Sequence, residues 1–139
     1  MHTDFALRVL IYLSLRRDRL CQVSEIARDY KISRNHLVKV VNRLARAGFV
    51  QTHRGRAGGV ALAREPEAIR IGDVLRHTEG AFEPVECFRI GNQCPITPAC
   101  KLPPILTEAY RNFVATLDRY TIADLTAHRR RLEALLDSR

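Results

Sequence analysis

The sequence predicts a mainly α-helical fold: a winged helix-turn-helix with a β-hairpin wing, a cysteine-bearing loop and a long C-terminal helix. Three observations predict it. Apolar residues recur at helical spacing in three successive segments, two short apolar runs then flank a glycine-rich turn, and another helical stripe follows a loop dense in proline and glycine. Helix, helix, tight turn, helix and hairpin, in this order, form a winged helix-turn-helix. A chain of 139 residues is long enough for one domain with an appended element.

The first two helices are predicted from apolar periodicity. The run DFALRVLIYLSL has its apolar residues at helical spacing, which predicts a first helix that ends near Arg17. The run VSEIARDY, residues 23–30, predicts a short second helix that buries Ile26 and Ala27. Residues 31–32 then form a brief turn.

The third predicted helix has one apolar face and one face rich in basic and amide side chains. It runs from Arg34 to Ala47, Ser33 is placed to cap its start, and Gly48 suits the left-handed position that closes a helix. In a winged helix-turn-helix such a helix enters the major groove of DNA by its N-terminal end. We therefore expect contacts to base edges from Ser33, Arg34, Asn35, His36 and Lys39.

The wing is predicted over residues 49–64, FVQTHRGRAGGVALAR. Two short apolar runs, 49–50 and 60–62, are separated by a glycine-rich turn that carries Arg54 and Arg56 at its tip. Guanidinium groups on such a tip suit phosphates or a narrow minor groove, where the potential is negative. The wing therefore adds these two arginines to the predicted DNA-binding residues.

The C-terminal half is predicted to contain a dimer interface. Residues 69–80, IRIGDVLRHTEG, predict a short strand and a fourth helix that ends at Gly80. An apolar stripe from Ile105 to Leu117 predicts a fifth helix, and this stripe is more apolar than a small domain with its own core requires. A two-fold homodimer would cover it, and such a dimer matches the paired half-sites of a palindromic operator.

A last helix is predicted from a capping pair, Thr121 and Asp124, and it runs to about Leu136.

The positive charge lies in the first half of the chain. Residues 1–70 contain 14 Lys and Arg against 6 Asp and Glu, whereas residues 71–139 contain 9 against 9, and the formal net charge is +8. Residues 31–64 contain eight basic residues and no acidic one. This stretch suits a polyanion, which favours double-stranded DNA as a partner. No run approaches the roughly 20 apolar residues of a membrane span and no secretory signal is visible, so we expect no membrane partner and a cytoplasmic protein.

Three of the four cysteines lie in one short stretch, CFRIGNQCPITPAC, which contains Cys87, Cys94 and Cys100. Cytoplasmic thiols stay reduced, so metal binding or redox sensing is favoured over disulfides. Zinc sites usually use close pairs such as Cys-x2-Cys, so zinc is possible here but not indicated. An iron–sulfur cluster is larger, and three thiolates from a long loop can reach separate irons and leave one iron in need of a fourth ligand.

The order of these motifs resembles the NsrR family, the nitric-oxide-sensing iron–sulfur transcriptional repressors of bacteria. The resemblance rests on DFALRVLIYL, SRNHLVKVVNRLARAGFV, RGRAGGVAL, IRIGDVLRHTEG, CPITPAC and LDRYTIADL, and it covers nearly the whole chain. The related IscR family of iron–sulfur biogenesis regulators has one residue fewer between its first two cysteines. It also supplies a histidine three residues after the last cysteine, where this chain has Pro103. The ligand set therefore favours NsrR.

The resemblance implies a homodimer that holds an iron–sulfur cluster, 4Fe-4S by resemblance, although the ligands are also compatible with 2Fe-2S. The implied ligands are Cys87, Cys94, Cys100 and an aspartate from the first helix of the other subunit. The matching residue is Asp4, with Arg8 one turn later as its supporting partner. The implied function is repression that ends when nitric oxide attacks the cluster, which releases DNA and derepresses nitric oxide detoxification genes.

The implied organisation has three parts. They are a DNA-binding domain over residues 1–80, an iron–sulfur cluster-binding loop over 81–104, and a dimerisation helix with a C-terminal helix over 105–139.

Several alternatives stay open. The same loop could serve a regulator of iron, oxidants or cluster supply, a zinc-stabilised or metal-free DNA-binding protein, or a small electron carrier, although the last leaves the basic stretch unexplained. His77, Glu86 and Cys21 are weaker candidates for the fourth ligand. No Ser/His/Asp grouping, phosphate-binding glycine loop or pair of catalytic carboxylates is present, so we expect no enzyme.

Overall fold

The computed structural model of the protein describes residues 2–80, 83 and 85–138. The predicted mainly helical fold with a hairpin wing is confirmed. Residues 81, 82 and 84 of the predicted cysteine-bearing loop lie outside the described residues. The elements are α1 (His2–Leu15), α2 (Val23–Tyr30), α3 (Arg34–Arg46), β1 (Val50–His53), β2 (Gly59–Leu62), α4 (Ile71–Thr78), α5 (Leu102–Leu117), α6 (Ile122–Leu125) and α7 (Arg129–Asp137).

None of these helices, over the ranges just given, has the length and apolar character needed to cross a membrane.

The core is built around α1. Val9 and Leu10 are completely buried, and α1 contacts α3, α4, α6 and β2. The apolar face of α3 packs against it through Leu37 and Leu44, which are also completely buried. This burial explains why α1 is apolar on most of its surface whereas α2 and α3 are amphipathic.

The chain leaves this core in α5 and then returns to it. Within α5 the structure buries only Val114 among the residues it describes there, whereas Ile122, at the start of α6, is completely buried. Backbone hydrogen bonds hold the returning segment, because the Ile122 N–H donates to the Ile69 carbonyl at 3.0 Å and the Ile71 N–H donates to the Tyr120 carbonyl at 3.0 Å. The C-terminal helices therefore pack on the same core as the first helices.

Two helix ends differ by two residues from the sequence prediction. The first helix ends at Leu15, two residues before Arg17, and the Arg129 guanidinium donates to the Leu15 carbonyl. The fourth helix ends at Thr78 rather than Gly80, since Glu79 is extended. The strand predicted before it is a single bridge between Arg70 and Thr121.

The prediction of a single last helix after the capping pair was wrong, because the structure has two helices there. The capping box itself is present, with the Asp124 carboxylate accepting the Thr121 N–H at 2.7 Å. The first of them ends at Leu125 and the second begins at Arg129, and between them the Thr126 hydroxyl donates to the Ile122 carbonyl at 3.1 Å.

The turn between α2 and α3 sets the angle of the third helix. Lys31 has φ of 55°, in the left-handed region, and the Ile32 N–H donates to the Ala27 carbonyl at 2.9 Å. The third helix begins after Ser33 as predicted, but the Ser33 side chain makes no capping hydrogen bond. At the other end Gly48 has φ of 75°, which agrees with its predicted closing role.

A buried polar pair joins α1 to α2. The Tyr12 hydroxyl donates to the Asp29 carboxylate at 2.7 Å, and both side chains are buried. Burial by itself would raise the pKa of Asp29, but hydrogen bonds from Tyr12 and Arg28 outweigh it and hold that pKa below its usual value. The ionised carboxylate therefore stabilises the contact between the two helices.

We predict that Tyr12→Phe lowers the free energy of unfolding by about 1–3 kcal/mol at neutral pH, because it leaves the buried Asp29 carboxylate short of one donor. Urea denaturation measures the change, and Tyr120→Phe, at an exposed tyrosine, is the control. The folded pKa of Asp29 is depressed, so its contribution is full above the unfolded value of about 4 and is lost as the pH falls through the folded value. A stability difference that stays constant into strong acid would contradict this account.

Candidate DNA-binding surface and cysteine loop

The N-terminal end of α3 presents an exposed polar surface. The side chains of Ser33, Arg34, Asn35 and Lys39 are exposed, as a base-reading role requires. His36 lies differently, because it is half-buried and its ring packs edge-on against Phe5 of α1 at 4.7 Å between centroids. Four of the five predicted base-reading residues therefore share one open surface, and the fifth lies between α3 and α1.

The wing tip places both predicted arginines in solvent. Arg54 and Arg56 are exposed in the turn between β1 and β2, which pair in an antiparallel register from Val50 opposite Leu62 to His53 opposite Gly59. Gly55 has φ of 100°, a conformation that favours glycine. The turn geometry is therefore specified by glycine, and it leaves the arginine side chains free to reach a neighbouring backbone.

The wing is fastened to the rest of the domain through Cys21 and Gln22. The Cys21 N–H donates to the Val60 carbonyl at 3.0 Å, the Val60 N–H donates back at 2.8 Å, and the Gln22 side chain donates to the Gly58 carbonyl. The Cys21 thiol is completely buried, and this burial raises its pKa to about 11. Such a protonated thiol suits an apolar packing role and not that of a metal ligand.

The other three cysteines are free and half-buried in the cysteine loop, residues 85–101. Asn92 organises its centre, since its side-chain oxygen accepts the Cys94 N–H and the Thr97 hydroxyl, each at 3.0 Å. The Cys100 N–H donates to the Ile96 carbonyl at 2.9 Å, and the Leu102 N–H points at the Cys100 sulfur at 3.5 Å. Backbone turns therefore hold the segment from Cys94 to Cys100.

The thiols suit an iron–sulfur group by donor type, although the described side chains do not converge. Over residues 2–80, 83 and 85–138, no group of three or more His, Cys, Asp or Glu side chains is placed to hold a metal ion. The three cysteines are nevertheless unpaired and partly accessible, and the N–H directed at the Cys100 sulfur is the kind of donor that stabilises a thiolate ligand. Three thiols of the type that binds iron–sulfur clusters therefore lie on one loop.

Asp4 lies in the first turn of α1 and is exposed. Its carboxylate forms an ion pair with Arg8, one turn later, at 3.0 Å. The Arg8 guanidinium also lies over the rings of Phe5 and Tyr30. Asp4 is therefore accessible to another molecule, with Arg8 holding its side chain.

His77 and Glu86, the other candidates for the fourth ligand, each make a hydrogen bond of their own. A ring nitrogen of His77 lies 2.8 Å from the Asp73 carbonyl, and its ring packs edge-on against Phe49. A carboxylate oxygen of Glu86 accepts the Gln93 N–H at 3.2 Å within the cysteine loop.

The C-terminal end of α5 is anchored to α4 by a charged contact. Arg76 donates to both carboxylate oxygens of Asp118, one of them at 2.9 Å, and the hydrogen bond lowers the pKa of Asp118. Gly72 lies beneath this carboxylate, where a Cβ would overlap Asp118 Oδ1. Beside this anchor an apolar groove of about 780 Å³ runs between the start of α1, α4 and α5.

Sequence reasoning missed the polar residues that connect α1, α3 and α4, notably Thr3, Thr78 and Arg43. The Thr3 and Thr78 hydroxyls lie 2.8 Å apart, and Arg43 donates to the Thr78 carbonyl at 2.7 Å. These contacts join residues 35 or more positions apart, so no local pattern signals them. The role of Asn92, by contrast, could have been predicted from the sequence. Asparagine often accepts the backbone N–H two residues later and so stabilises a turn, as it does here with Cys94.

The model of the Rrf2 family, described as iron-dependent transcriptional regulators, matches residues 1–128. The chain belongs to the Rrf2 family. The HTH-type transcriptional regulator NsrR of Bacillus subtilis (strain 168) is 46% identical to it over 137 residues, which cover 97% of this chain and 94% of the relative. NsrR of Shouchella clausii is 44% identical, with 97% and 92% covered. The predicted resemblance to NsrR is thus confirmed, and this Rrf2 protein is a DNA-binding transcriptional regulator and not an enzyme.

Solved structures of Rrf2 regulators share the fold. CymR, described as the global cysteine regulator of B. subtilis, superposes with a TM-score of 0.69 at 29% identity over 92% of this chain and 95% of CymR. IscR of T. potens superposes with a TM-score of 0.71 at 23% identity over 92% of this chain and 85% of IscR. The winged helix-turn-helix assignment is therefore confirmed for this Rrf2 chain.

We predict that Arg56→Ala weakens binding to specific and non-specific duplexes alike. Removing one phosphate contact should lower the slope of log Kd against log salt by about 1. Fluorescence anisotropy over a salt series measures this slope. Arg130→Ala removes the same charge from an exposed position on α7 and should leave the slope unchanged. If both variants behave alike, the wing does not contact the DNA backbone.

Proposed function

We propose that this regulator is a homodimeric repressor that binds a palindromic operator and is inactivated by nitric oxide through an iron–sulfur cluster. The observation that carries the proposal is the set of three free, half-buried cysteines on one loop, in a chain 46% identical to a regulator named NsrR. Cys87, Cys94 and Cys100 would hold the cluster, and Asp4 of the partner subunit would supply the fourth ligand.

The cluster would supply iron that nitric oxide can attack. A carboxylate is a harder and weaker ligand for such iron than a thiolate, so the iron held by Asp4 would be the most open to attack. The protein's own groups prepare this arrangement. Arg8 holds the Asp4 carboxylate in position, and Asn92 holds the turn that carries Cys94.

The DNA-binding step depends on the exposed ends of α3 and the wing. Ser33, Arg34, Asn35 and Lys39 would read base edges, while Arg54 and Arg56 would bind the backbone or the minor groove. The His36 ring packs against Phe5 of α1. We propose that His36 still contacts DNA, at the edge of this surface where α3 meets α1. Residues 31–64 contain lysines and arginines but no acidic residue, and this excess of positive charge suits binding to the phosphates of DNA.

The homodimer is supported by the exposed apolar residues of α5. Ile105 and Phe113 are 59% and 54% exposed, and Phe113 lines the apolar groove beside α4. A helix with this much exposed apolar surface gains stability when a partner covers it. A dimer formed through α5 would also present the recognition helices of both subunits to the two half-sites of a palindromic operator.

Nitric oxide should abolish operator binding by anaerobically purified protein. A gel shift on an operator fragment, before and after stoichiometric nitric oxide, tests the function directly. Binding that persists unchanged after treatment would reject it. Binding that responds to iron or oxidant supply but not to nitric oxide would favour a regulator of cluster or iron homeostasis.

We predict that Cys94→Ala abolishes the cluster, because two thiolates cannot hold it. Iron and sulfide analysis with absorption spectra of anaerobic preparations measures the loss. Cys21→Ala is the matched control, since the Cys21 thiol is buried and protonated and its removal should leave the iron content unchanged. Equal iron in wild type and Cys94→Ala would show that the ligand assignment is wrong.

A mixed dimer tests whether Asp4 acts across the subunit interface. We predict that an Asp4→Ala subunit paired with a Cys94→Ala subunit contains one cluster with wild-type spectrum and wild-type nitric oxide reactivity. The intact cysteines of the first subunit then meet the intact aspartate of the second. An Asp4→Ala homodimer should lack this signal. If the mixed dimer shows only the spectrum of the Asp4→Ala homodimer, Asp4 does not act in trans.

A further inference from the structure

The last turn of α4 is hydrogen-bonded to two other helices. Its Thr78 carbonyl accepts a hydrogen bond from Arg43 Nη1 of α3 at 2.7 Å. The Thr78 hydroxyl lies 2.8 Å from the hydroxyl of Thr3, the residue before Asp4 in α1. The backbone then runs through residues 79–80 toward the cysteine loop. Two helices with proposed roles therefore meet at Thr78, seven residues before the cysteine loop begins.

We propose that Arg43 and Thr78 are positioning residues that couple the state of the cysteine loop to the recognition helix. The inference rests on the proposed function and adds to it the residues through which the loop acts on α3. Neither residue belongs to the proposed cluster ligands or DNA contacts. Their role is to transmit a change of position from the end of α4 to α3.

The contact between Arg43 and Thr78 has a clear physical basis. The last carbonyls of a helix have no partner within the helix and carry its partial negative charge. A guanidinium group that donates to such a carbonyl makes a charge-assisted hydrogen bond, which is stronger than a neutral one. Thr78 is 2% exposed, so water does not replace its partners readily. The carbonyl and the hydroxyl of Thr78 therefore bind α3 and α1 at the same time.

The position of Arg43 explains how a movement would reach DNA. Arg43 lies about two helical turns from Asn35, roughly 12 Å along the axis, and a helix of this length moves as a rigid element. A displacement of the last turn of α4 would therefore shift Asn35 and Lys39 in the groove. On the α1 side the same turn holds Thr3, next to the proposed ligand Asp4. A change at the loop or at Asp4 would thus reach α3 through Thr78.

A phosphate contact is the competing role for Arg43, because it lies on the basic side of α3. The two roles differ in their salt dependence. Loss of a phosphate contact lowers the slope of log Kd against log salt by about 1, in both cluster states. Loss of a coupling contact leaves the slope unchanged and reduces the difference in operator affinity between cluster-loaded and cluster-free protein.

The experiment compares Arg43→Met, which keeps the stem but removes the donor, and Thr78→Val, which removes the hydroxyl but keeps the carbonyl. Arg46→Met removes the same charge from an exposed position on the same helix and is the control. Operator Kd is measured for cluster-loaded and cluster-free protein over a salt series. We expect the ratio of the two Kd values to fall about tenfold in Arg43→Met, and by less in Thr78→Val because Glu79 still accepts the Thr3 hydroxyl. The slope should be unchanged in both variants, and Arg46→Met should leave the ratio unaffected.

Amide hydrogen exchange of the cluster-free protein supplies a readout that needs neither cluster nor DNA. Arg43→Met should reduce protection in the last turn of α3, whereas Arg46→Met should not. If wild type itself binds equally with and without the cluster, the proposed function fails and this inference fails with it. If wild type responds but both test variants keep the full ratio, or if Arg43→Met only lowers the salt slope, the inference alone is overturned.

Discussion

The burial of α1 at the centre of the core is the constraint on which the rest of the structure depends. Val9 and Leu10 are completely buried, and α1 touches α3, α4, α6 and β2, so these elements are positioned against it. Its first turn carries Asp4, and its last carbonyl is held by Arg129 of α7. One rigid element therefore sets the relation between the proposed ligand, the recognition helix and the C-terminal segment.

The helix-turn-helix and the wing pack into the core, whereas most of α5 is exposed. The helix-turn-helix and wing are fastened by buried apolar contacts and by backbone bonds, such as those between Cys21 and Val60. By contrast, α5 is held mainly at its C-terminal end, where Arg76 binds Asp118 and Ile122 enters the core. A helix that is anchored at one end and apolar along an exposed face is suited to a second subunit. This arrangement places the proposed dimer contact next to the cysteine loop that precedes α5.

Polar contacts over long sequence distances join α1, α3 and α4. Thr3 and Thr78 are 75 positions apart, and Arg43 and Thr78 are 35 apart, yet all three meet at the end of α4. Such contacts cost little local strain, and they depend on several helices being correctly placed at once. They are therefore sensitive to movement of any one helix, as the proposed coupling between the cysteine loop and the recognition helix requires.

By itself the sequence determined helices α1 to α5, the wing and the grouping of three cysteines in one loop. Apolar periodicity and glycine positions are local signals, and Gly48 closes α3 as its pattern predicts. The tertiary structure decided what local signals do not contain. The predicted last helix is broken after Leu125, the His36 ring packs against Phe5, and Arg43 binds a helix end that only folding brings near it. The physical reason is that a hydrogen bond or ring contact between distant segments depends on where their helices pack, which periodicity does not specify.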